Sequence, residues 1–440
     1  MLYGRPPFQT ASLFMQAPRM HATPAEHTAN AVPEAERGSA WRIFFIVAGT
    51  QCGLPGFVLS ARILSALGLH DGIAAIIASA LMTALLAAFT SWLGAATGMS
   101  LSLLSTRIFG PYGAVIVRTV IGVSLVGWFG ATIGLLGSTA APALSEQFHL
   151  HISPHLVSAL AGIGIVIGTC MGARGLERIG QIVIPVVALG LIAGIARTWH
   201  ALPAAALHGG THALTFGGAV SAMIGSYVVG IIIQPDYSRF VRSPNAAAGA
   251  VVAALALAYP VIMIASGIPS LALGRPDLVS ALVALGFGIP ALLVLVLSAW
   301  IDASACLYSG SLALANLLQG RRLWPYVLGS GIIGGILELG GLTDAYVRFL
   351  LLLGIVLPPI AAILIVDTLI GLPANAGRPA AGRQHVAILA WICGGIAGAL
   401  SECGMTSLTA IPTFDGLLVS ACIMTVASLY GRLTASDPAI

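Results

Sequence analysis

One acidic residue, Asp302, stands deep inside a long apolar run that reads LSAWIDASACLYSGSLALANL. An ionised carboxylate at the centre of a bilayer costs about 2.5–3.5 kcal/mol on insertion scales, so such a residue normally faces the protein interior and is functional. It can hold a cation or carry a proton. The structural alternative is a carboxyl group hydrogen-bonded to Ser or Thr of a neighbouring helix.

Two apolar segments carry Gly or Pro near their centres. The first reads VAGTQCGLPGFVLS (47–60), and the second reads GGAVSAMIGSYVVGIIIQPDYSRF (217–240). Broken helices are tolerated in a membrane only beside a polar cavity, and a matched pair of them indicates a transport site. We therefore expect breaks near Gly53 and Gly225, with Gln51 and Ser226 beside them. The alternative is that these glycines serve helix packing.

Two aromatic residues could each present a ring face to a ligand. Trp128 stands in the Gly-lined stretch VGWFGATIG, and Tyr227 follows Ser226. Aromatic faces on either side of a polar pocket suit a flat heterocycle, because ring stacking is favourable. For each aromatic residue alone, core packing is the competing interpretation.

The composition indicates a membrane protein. Hydrophobic residues make up 58% of the 440 residues and charged residues only 8%, whereas a soluble domain has about 25% charged residues. The small net charge of +4 gives no indication of nucleic-acid binding. The six cysteines are scattered without paired spacing, which predicts neither disulfides nor a zinc site.

Apolar runs long enough to cross a bilayer recur along the chain. Arginines are concentrated in alternate loops, which places both termini in the cytoplasm. The absence of lysine and the richness in alanine and arginine suggest a bacterial protein, which we expect in the inner membrane. We expect residues 1–40 to be a disordered tail and 432–440 a short C-terminal tail. The twelve predicted spans are 41–61, 72–97, 113–143, 155–171, 179–198, 214–235, 246–272, 284–317, 324–339, 346–371, 386–402 and 410–431.

The pattern of polar residues at membrane depth does not suggest an enzyme. The sequence shows no paired carboxylates, Ser/His/Asp-like set or metal-ligand cluster there. A membrane receptor or sensor on the same scaffold is the alternative from another class. It would usually append a soluble signalling domain, and the stretch after residue 431 is short.

Short motifs along residues 41–372 resemble the nucleobase:cation symporter-1 family, and within it the cytosine permeases. In chain order they are LGLHD, FGPYG, GWFG, IGSY, PDYSRF, WIDASACLYSG and LPPIAAILIVD. The resemblance implies an all-α membrane protein of about twelve helices with the leucine-transporter-type fold. Two inverted repeats of five spans, 41–198 and 214–371, would be followed by two further spans in 386–431.

The resemblance also implies where the ligands bind. The substrate would lie between spans 1, 3, 6 and 8, with a sodium ion between spans 1 and 8. Trp128 matches the tryptophan that stacks on the base, and Ser226 and Tyr227 match a Ser-Phe pair that reads it. The expected substrate-binding residues are Gln51, Gly53, Trp128, Gly225, Ser226, Tyr227 and Ser298. The expected cation- or proton-coupling residues are Gly53, Gly56 and Asp302.

Several positions depart from the cytosine permeases. Leu125 replaces a glutamine, Gly53 aligns with an aromatic residue, and Ser298 aligns with an asparagine. Ile301 and Asp302 align with the two sodium-binding threonines. These departures predict a ring that differs from cytosine in its hydrogen-bonding edge. The carboxyl group at 302 would be either a stronger cation ligand or a proton carrier, and the lost hydroxyl at 301 favours the proton.

The sequence therefore predicts a monomeric transporter that imports a nucleobase or related small heterocycle with H⁺ or Na⁺ by alternating access. No other cofactor is expected. The alternative within the family is a transporter of hydroxymethylpyrimidine, another thiamine precursor or an allantoin-type ring.

Overall fold

The computed structural model describes residues 31–34, 37–170, 174–202, 207, 209–318, 322–371 and 383–435. Nearly all of these residues are helical. We number the helices in chain order as α1 (Trp41–Thr50), α2 (Leu54–Thr97), α3 (Leu101–Phe148), α4 (Pro154–Cys170), α5 (Arg174–Thr198), α6 (Phe216–Ser238), α7 (Pro244–Leu273), α8 (Leu278–Ala284), α9 (Gly288–Leu317), α10 (Trp324–Leu339), α11 (Tyr346–Val356), α12 (Pro358–Gly371), α13 (Arg383–Glu402) and α14 (Pro412–Ala435).

Each of the twelve predicted spans falls on one or two of these helices. Helices α2 and α3 each turn sharply at a glycine with positive φ, Gly68 (φ 80°) and Gly110 (φ 71°), so each combines a short and a long helical piece. Within the described residues, eight helices are long and apolar enough to cross a membrane, and three shorter apolar helices accompany them. The chain is a multi-pass membrane protein, and the exact number of crossings remains a prediction.

The predicted break in the first span is confirmed. Helix α1 ends at Thr50, and α2 begins at Leu54 after an extended Gly53 (φ −78°, ψ 144°). Pro55 explains the break, because proline has no N–H to donate and its ring clashes with the carbonyl group four residues earlier. Proline is well placed in the first turn of the new helix.

The predicted break in the sixth span is wrong. Helix α6 is continuous through Gly225, because glycine keeps its backbone N–H and weakens a helix by only about 1 kcal/mol relative to alanine. Gly225 instead lets α11 approach closely, since a Cβ atom there would collide with the carbonyl oxygen of Leu350. Gly354 on α11 likewise allows α6 to approach closely, because an added Cβ there would lie 2.6 Å from the oxygen of Ser221.

The prediction of a disordered N-terminal tail is wrong for residues 32–34 and 37–40. The guanidinium group of Arg37 donates to the backbone oxygens of Val32 and of Ala95 in α2 (2.8 Å to Ala95). Gly38 donates to the oxygen of Phe240 at 2.7 Å, just beyond α6. Residues 1–30, 35 and 36 and residues 436–440 lie outside the described residues.

Small residues bring several of the helices close together. Thr90 of α2 donates to the oxygen of Ile231 in α6 at 2.7 Å. An added Cβ at Gly130 of α3 would lie 2.6 Å from the oxygen of Gly334 in α10. Close approach through small residues is the usual way in which membrane helices pack, and it holds α3 and α6 where they can present side chains to the break between α1 and α2.

Candidate functional site

A cavity of about 130 Å³ lies beside the break between α1 and α2. Ligand pockets for drug-sized molecules are usually about 300–1,000 Å³, so this cavity suits a single small ring system. Its walls come from α1, α2, α3, α6, α7 and α9. Its lining includes Thr50, Gln51, Gly53, Gly56, Leu125, Trp128, Ser226, Tyr227, Tyr237, Tyr259, Met263, Asp302, Cys306 and Ser309.

Asp302 stands on α9 directly opposite the helix break. Its Oδ2 accepts a hydrogen bond of 2.8 Å from the hydroxyl group of Thr132 on α3. Its carboxyl group also faces Gly53, where an added Cβ would lie 3.3 Å from the Asp302 Cγ. Asp302 keeps partial exposure although helices surround it, so its exposed surface faces the cavity. Among the described side chains, none with a basic group forms an ion pair with it.

Trp128 forms part of the cavity wall on α3. Its ring meets Tyr346 and Phe349 of α11 edge to face, with ring centroids 6.2 and 5.8 Å apart. The Tyr346 hydroxyl donates to the oxygen of Pro55 at 2.8 Å. The start of α11 is therefore tied both to the tryptophan and to the first turn of α2.

Helix α6 contributes Ser226 and Tyr227. The hydroxyl group of Ser226 donates to the oxygen of Met223 at 2.7 Å and lies 3.1 Å from the hydroxyl oxygen of Tyr259 on α7. The ring of Tyr227 lies over Gly230, where an added Cβ would come within 2.6 Å of it. Gly230 thus gives the tyrosine ring the space it occupies along α6.

Gln51, at the end of α1, directs its amide nitrogen into its own helix. This nitrogen donates to the oxygen of Val47 at 3.2 Å and to the hydroxyl oxygen of Thr50 at 3.1 Å. The side chain is almost completely buried at 6% exposure and nevertheless lines the cavity.

The structure brings together most of the residues that the sequence predicted. Those that line the cavity are Gln51, Gly53, Gly56, Trp128, Ser226, Tyr227 and Asp302. Two predicted residues are not brought to it. Gly225 packs against α11 as described above, and the Ser298 hydroxyl is fully buried and donates to the oxygen of Leu295 in its own helix.

Some residues of the site were not predicted from the sequence. Thr132, the hydrogen-bond donor to Asp302, follows Trp128 by four residues, and that spacing puts both on one face of a helix; this signal could have identified it. Tyr259 and Met263 of α7 show the same spacing. Their distance in sequence from every motif left no signal that they face the cavity.

The cavity is asymmetric along the bundle. It continues past Tyr227 toward the end of α6, where Tyr237 lines it, and past Asp302 on α9 to Ser309. On the opposite side, Tyr346 donates to the first turn of α2 and packs against Trp128. The cavity therefore extends toward the end of the bundle at which α1 begins.

Replacing Trp128 with alanine is expected to weaken ligand binding about 5- to 150-fold, because stacking of a base on an aromatic side chain contributes about 1–3 kcal/mol. Trp128→Phe keeps an aromatic face and should recover a large part of the affinity. Equilibrium binding of a radiolabelled heterocycle to the purified protein measures both. Unchanged affinity in Trp128→Ala would remove the tryptophan from the site.

Replacing Thr132 with valine is expected to lower the rate of uptake by roughly tenfold. Valine has nearly the same shape but leaves one oxygen of Asp302 without its donor, at a cost of about 1–3 kcal/mol. Thr132→Ser restores a hydroxyl group and is the matched control. Equal loss of uptake in the serine and valine variants would show that the hydrogen bond is not the reason.

The family of permeases for cytosine/purines, uracil, thiamine and allantoin matches residues 31–377. The cytosine permease of Escherichia coli strain K12 is 25% identical over 347 residues, which cover 77% of this chain and 80% of the permease. The cytosine permease of Escherichia coli O157:H7 matches to the same extent.

Solved structures share the fold. Mhp1 in an inward-facing conformation superposes with a TM-score of 0.77 at 16% identity, covering 92% of this chain and 93% of Mhp1. Closed Mhp1 with bromovinylhydantoin bound, a nucleobase-cation-symport-1 family transporter, gives 0.74 at 16% identity, covering 92% and 96%. MhsT in complex with L-phenylalanine gives 0.58 at 16% identity, covering 90% and 98%. The chain thus has the leucine-transporter-type fold.

Proposed function

Because this chain belongs to the nucleobase:cation symporter-1 family of permeases for cytosine/purines, uracil, thiamine and allantoin, we propose that it imports a nucleobase or related small heterocycle by cation symport. Its family is one of transporters and not of enzymes. The observation that carries the proposal is the cavity at the α1–α2 break, where Trp128 and Asp302 face the same space.

The size and lining of the cavity support a ring-shaped substrate. A small cavity with an aromatic wall at Trp128 and a second aromatic side chain at Tyr227 suits a flat heterocycle, because stacking tolerates different ring substituents. Relatives bind such molecules: one is a cytosine permease and another holds bromovinylhydantoin. The proposed substrate-binding residues are Gln51, Gly53, Trp128, Ser226 and Tyr227.

Coupling to a cation is proposed at Asp302, with Gly53 and Gly56 at the facing helix break. A carboxyl group inside the membrane can bind Na⁺ or exchange a proton. Ile301 has no side-chain oxygen that could bind a cation beside it, and Thr132 supplies one hydroxyl group to the carboxyl group. This sparse set of oxygen ligands favours the proton over the sodium ion.

Alternating access is proposed as the mechanism, in a monomer with both termini in the cytoplasm of a bacterial cell. Residues 41–198 and 214–371 would form two inverted repeats, and α1, α2, α6 and α7 would rock against α3, α4, α9 and α10. The extension of the cavity toward the start of α1 suits the state open to the cytoplasm. Coupling requires that cation and substrate each bind one state better than the other.

Uptake by cells that express the chain tests this proposal. Radiolabelled cytosine, uracil, hypoxanthine, allantoin and hydroxymethylpyrimidine are offered with and without sodium across pH 5.5–8. Saturable uptake of at least one ring, increasing toward acid pH, is the expected result. Absence of uptake of every ring, together with binding of one of them to the purified protein, would instead favour a receptor that does not transport.

A further inference from the structure

We propose that Asp302 and Gln51 determine specificity as hydrogen-bond acceptors, and that they select rings with an amino group over matched rings with a carbonyl oxygen at the same position. This inference rests on the proposed transport function and names the class of ring that the site takes. It is carried by the polar atoms that remain unpaired beside the helix break.

The first acceptor is Oδ1 of Asp302. Oδ2 is occupied by the Thr132 hydroxyl at 2.8 Å. Oδ1 lies 3.3 Å from the position of an added Cβ at Gly53 and has no hydrogen-bond partner within the described ranges. The titratable groups that face this carboxyl group are the Tyr346 hydroxyl on α11 and the Cys306 thiol on its own helix. An ionised carboxylate can only accept hydrogen bonds. When Asp302 carries its proton on Oδ2, that proton points to the Thr132 hydroxyl oxygen and Oδ1 remains an acceptor. In both protonation states, therefore, Oδ1 requires a donor from the ligand.

The second acceptor is Oε1 of Gln51. A backbone carbonyl oxygen can only accept, so the amide atom 3.2 Å from the Val47 oxygen must be the nitrogen. The same nitrogen donates to Thr50 at 3.1 Å, so neither of its N–H groups remains for a ligand. In the part of the chain that the structure describes, Oε1 is left without a partner, on a side chain that lines the cavity.

The hydroxyl groups of Ser226, Tyr227 and Tyr259 are paired inside the protein, that of Tyr227 with Thr50. The Ser226 hydroxyl donates to the oxygen of Met223. The single hydroxyl proton of Tyr259 has Ser226 at 3.1 Å and the Met223 sulfur at 3.7 Å as its acceptors. Tyr237 follows Tyr227 by ten residues, about 15 Å along a helix, which is beyond the reach of one small ring.

The unpaired atoms therefore define a preference. An amino group supplies two N–H donors, and it can satisfy a carboxylate oxygen and an amide oxygen together. A carbonyl oxygen has no proton to donate, so at the same place its lone pairs would face the oxygens of Asp302 and Gln51. Both buried acceptors would stay unpaired, which weakens binding. The indole N–H of Trp128 has no acceptor among the described residues and can donate to one ring nitrogen or oxygen. A ring with one acceptor beside its amino group therefore fits best.

Competition binding to the purified full-length protein tests the inference. The competitors are amino and oxo pairs: adenine with hypoxanthine, cytosine with uracil, and 4-amino- with 4-hydroxy-5-hydroxymethyl-2-methylpyrimidine. In every pair that binds, we expect the amino ring to bind at least about tenfold more tightly, because sites built to pair one polar group reject the analogue that lacks it. Equal binding within the pairs, or a preference for the oxo ring, would overturn the inference alone.

Variants separate specificity from folding. Asp302→Asn keeps the shape but can turn an N–H toward the ligand, so the amino preference should fall below about threefold while the oxo ring binds better. Gln51→Met should lower the preference for the amino ring as well.

Glu146→Gln, which alters an exposed ion pair with Arg275 at 3.5 Å, is the control and should keep the wild-type preference. A full preference in Asp302→Asn would contradict the assignment. Absence of binding by any ring would overturn the proposed function, and this inference with it.

Discussion

Replacing Asp302 with asparagine is expected to abolish uphill accumulation of the substrate while exchange of the substrate across the membrane continues. Asparagine fills the same space and can still pair with Thr132, but it cannot carry a proton. One coupled proton across a pH difference of one unit supports about tenfold accumulation. The variant should therefore only equilibrate its substrate, whereas the wild-type protein concentrates it.

Paired assays distinguish lost coupling from lost folding. Counterflow in proteoliposomes preloaded with unlabelled substrate reports exchange, and accumulation under an imposed pH gradient reports coupling. Glu146→Gln removes a carboxylate from an exposed ion pair and should behave as wild type in both. Accumulation by Asp302→Asn at the wild-type level would show that another group, or sodium alone, provides the coupling.

Replacing Gly225 with alanine is expected to destabilise the protein by about 1–3 kcal/mol, the usual cost of overpacking a core. Alanine favours helices over glycine by up to about 1 kcal/mol, so intrinsic propensity predicts the opposite sign. The added methyl group would collide with the Leu350 oxygen, forcing α6 and α11 apart. A thermal unfolding midpoint of the detergent-solubilised protein measures the effect.

Gly249 on α7 provides the matched control. An added Cβ there meets nothing within 4 Å, so Gly249→Ala should leave the unfolding midpoint unchanged or raise it. A lower midpoint for Gly225→Ala and an equal or higher one for Gly249→Ala would establish close helix packing as the role of Gly225. If both variants were equally stable, the α6–α11 contact would not require a glycine.

The parts of the fold that the sequence predicted correctly follow from local chemistry. The break after Thr50 follows from Pro55, which cannot continue the helical hydrogen-bonding pattern. The inward placement of Asp302 follows from the cost of exposing a carboxylate to lipid. Neither conclusion required knowledge of the neighbouring helices.

The parts that were missed depend on tertiary contacts. Gly225 lies in a Gly-Ser pair that is typical of a helix break. Its role is instead to make room for the backbone oxygen of Leu350, on a helix more than 120 residues away. Arg37 lies in a polar segment that reads as disordered, and it is held by backbone oxygens that only the folded chain provides. The pairing of Thr132 with Asp302 likewise joins two helices whose relative position no local pattern specifies.

Accumulation of labelled substrate in proteoliposomes under an inward proton gradient, in buffers without sodium, tests the central claim most directly. We predict accumulation above equilibrium for the wild-type protein, and equilibration only for Asp302→Asn. Accumulation that requires a sodium gradient and ignores the proton gradient would contradict proton coupling at Asp302.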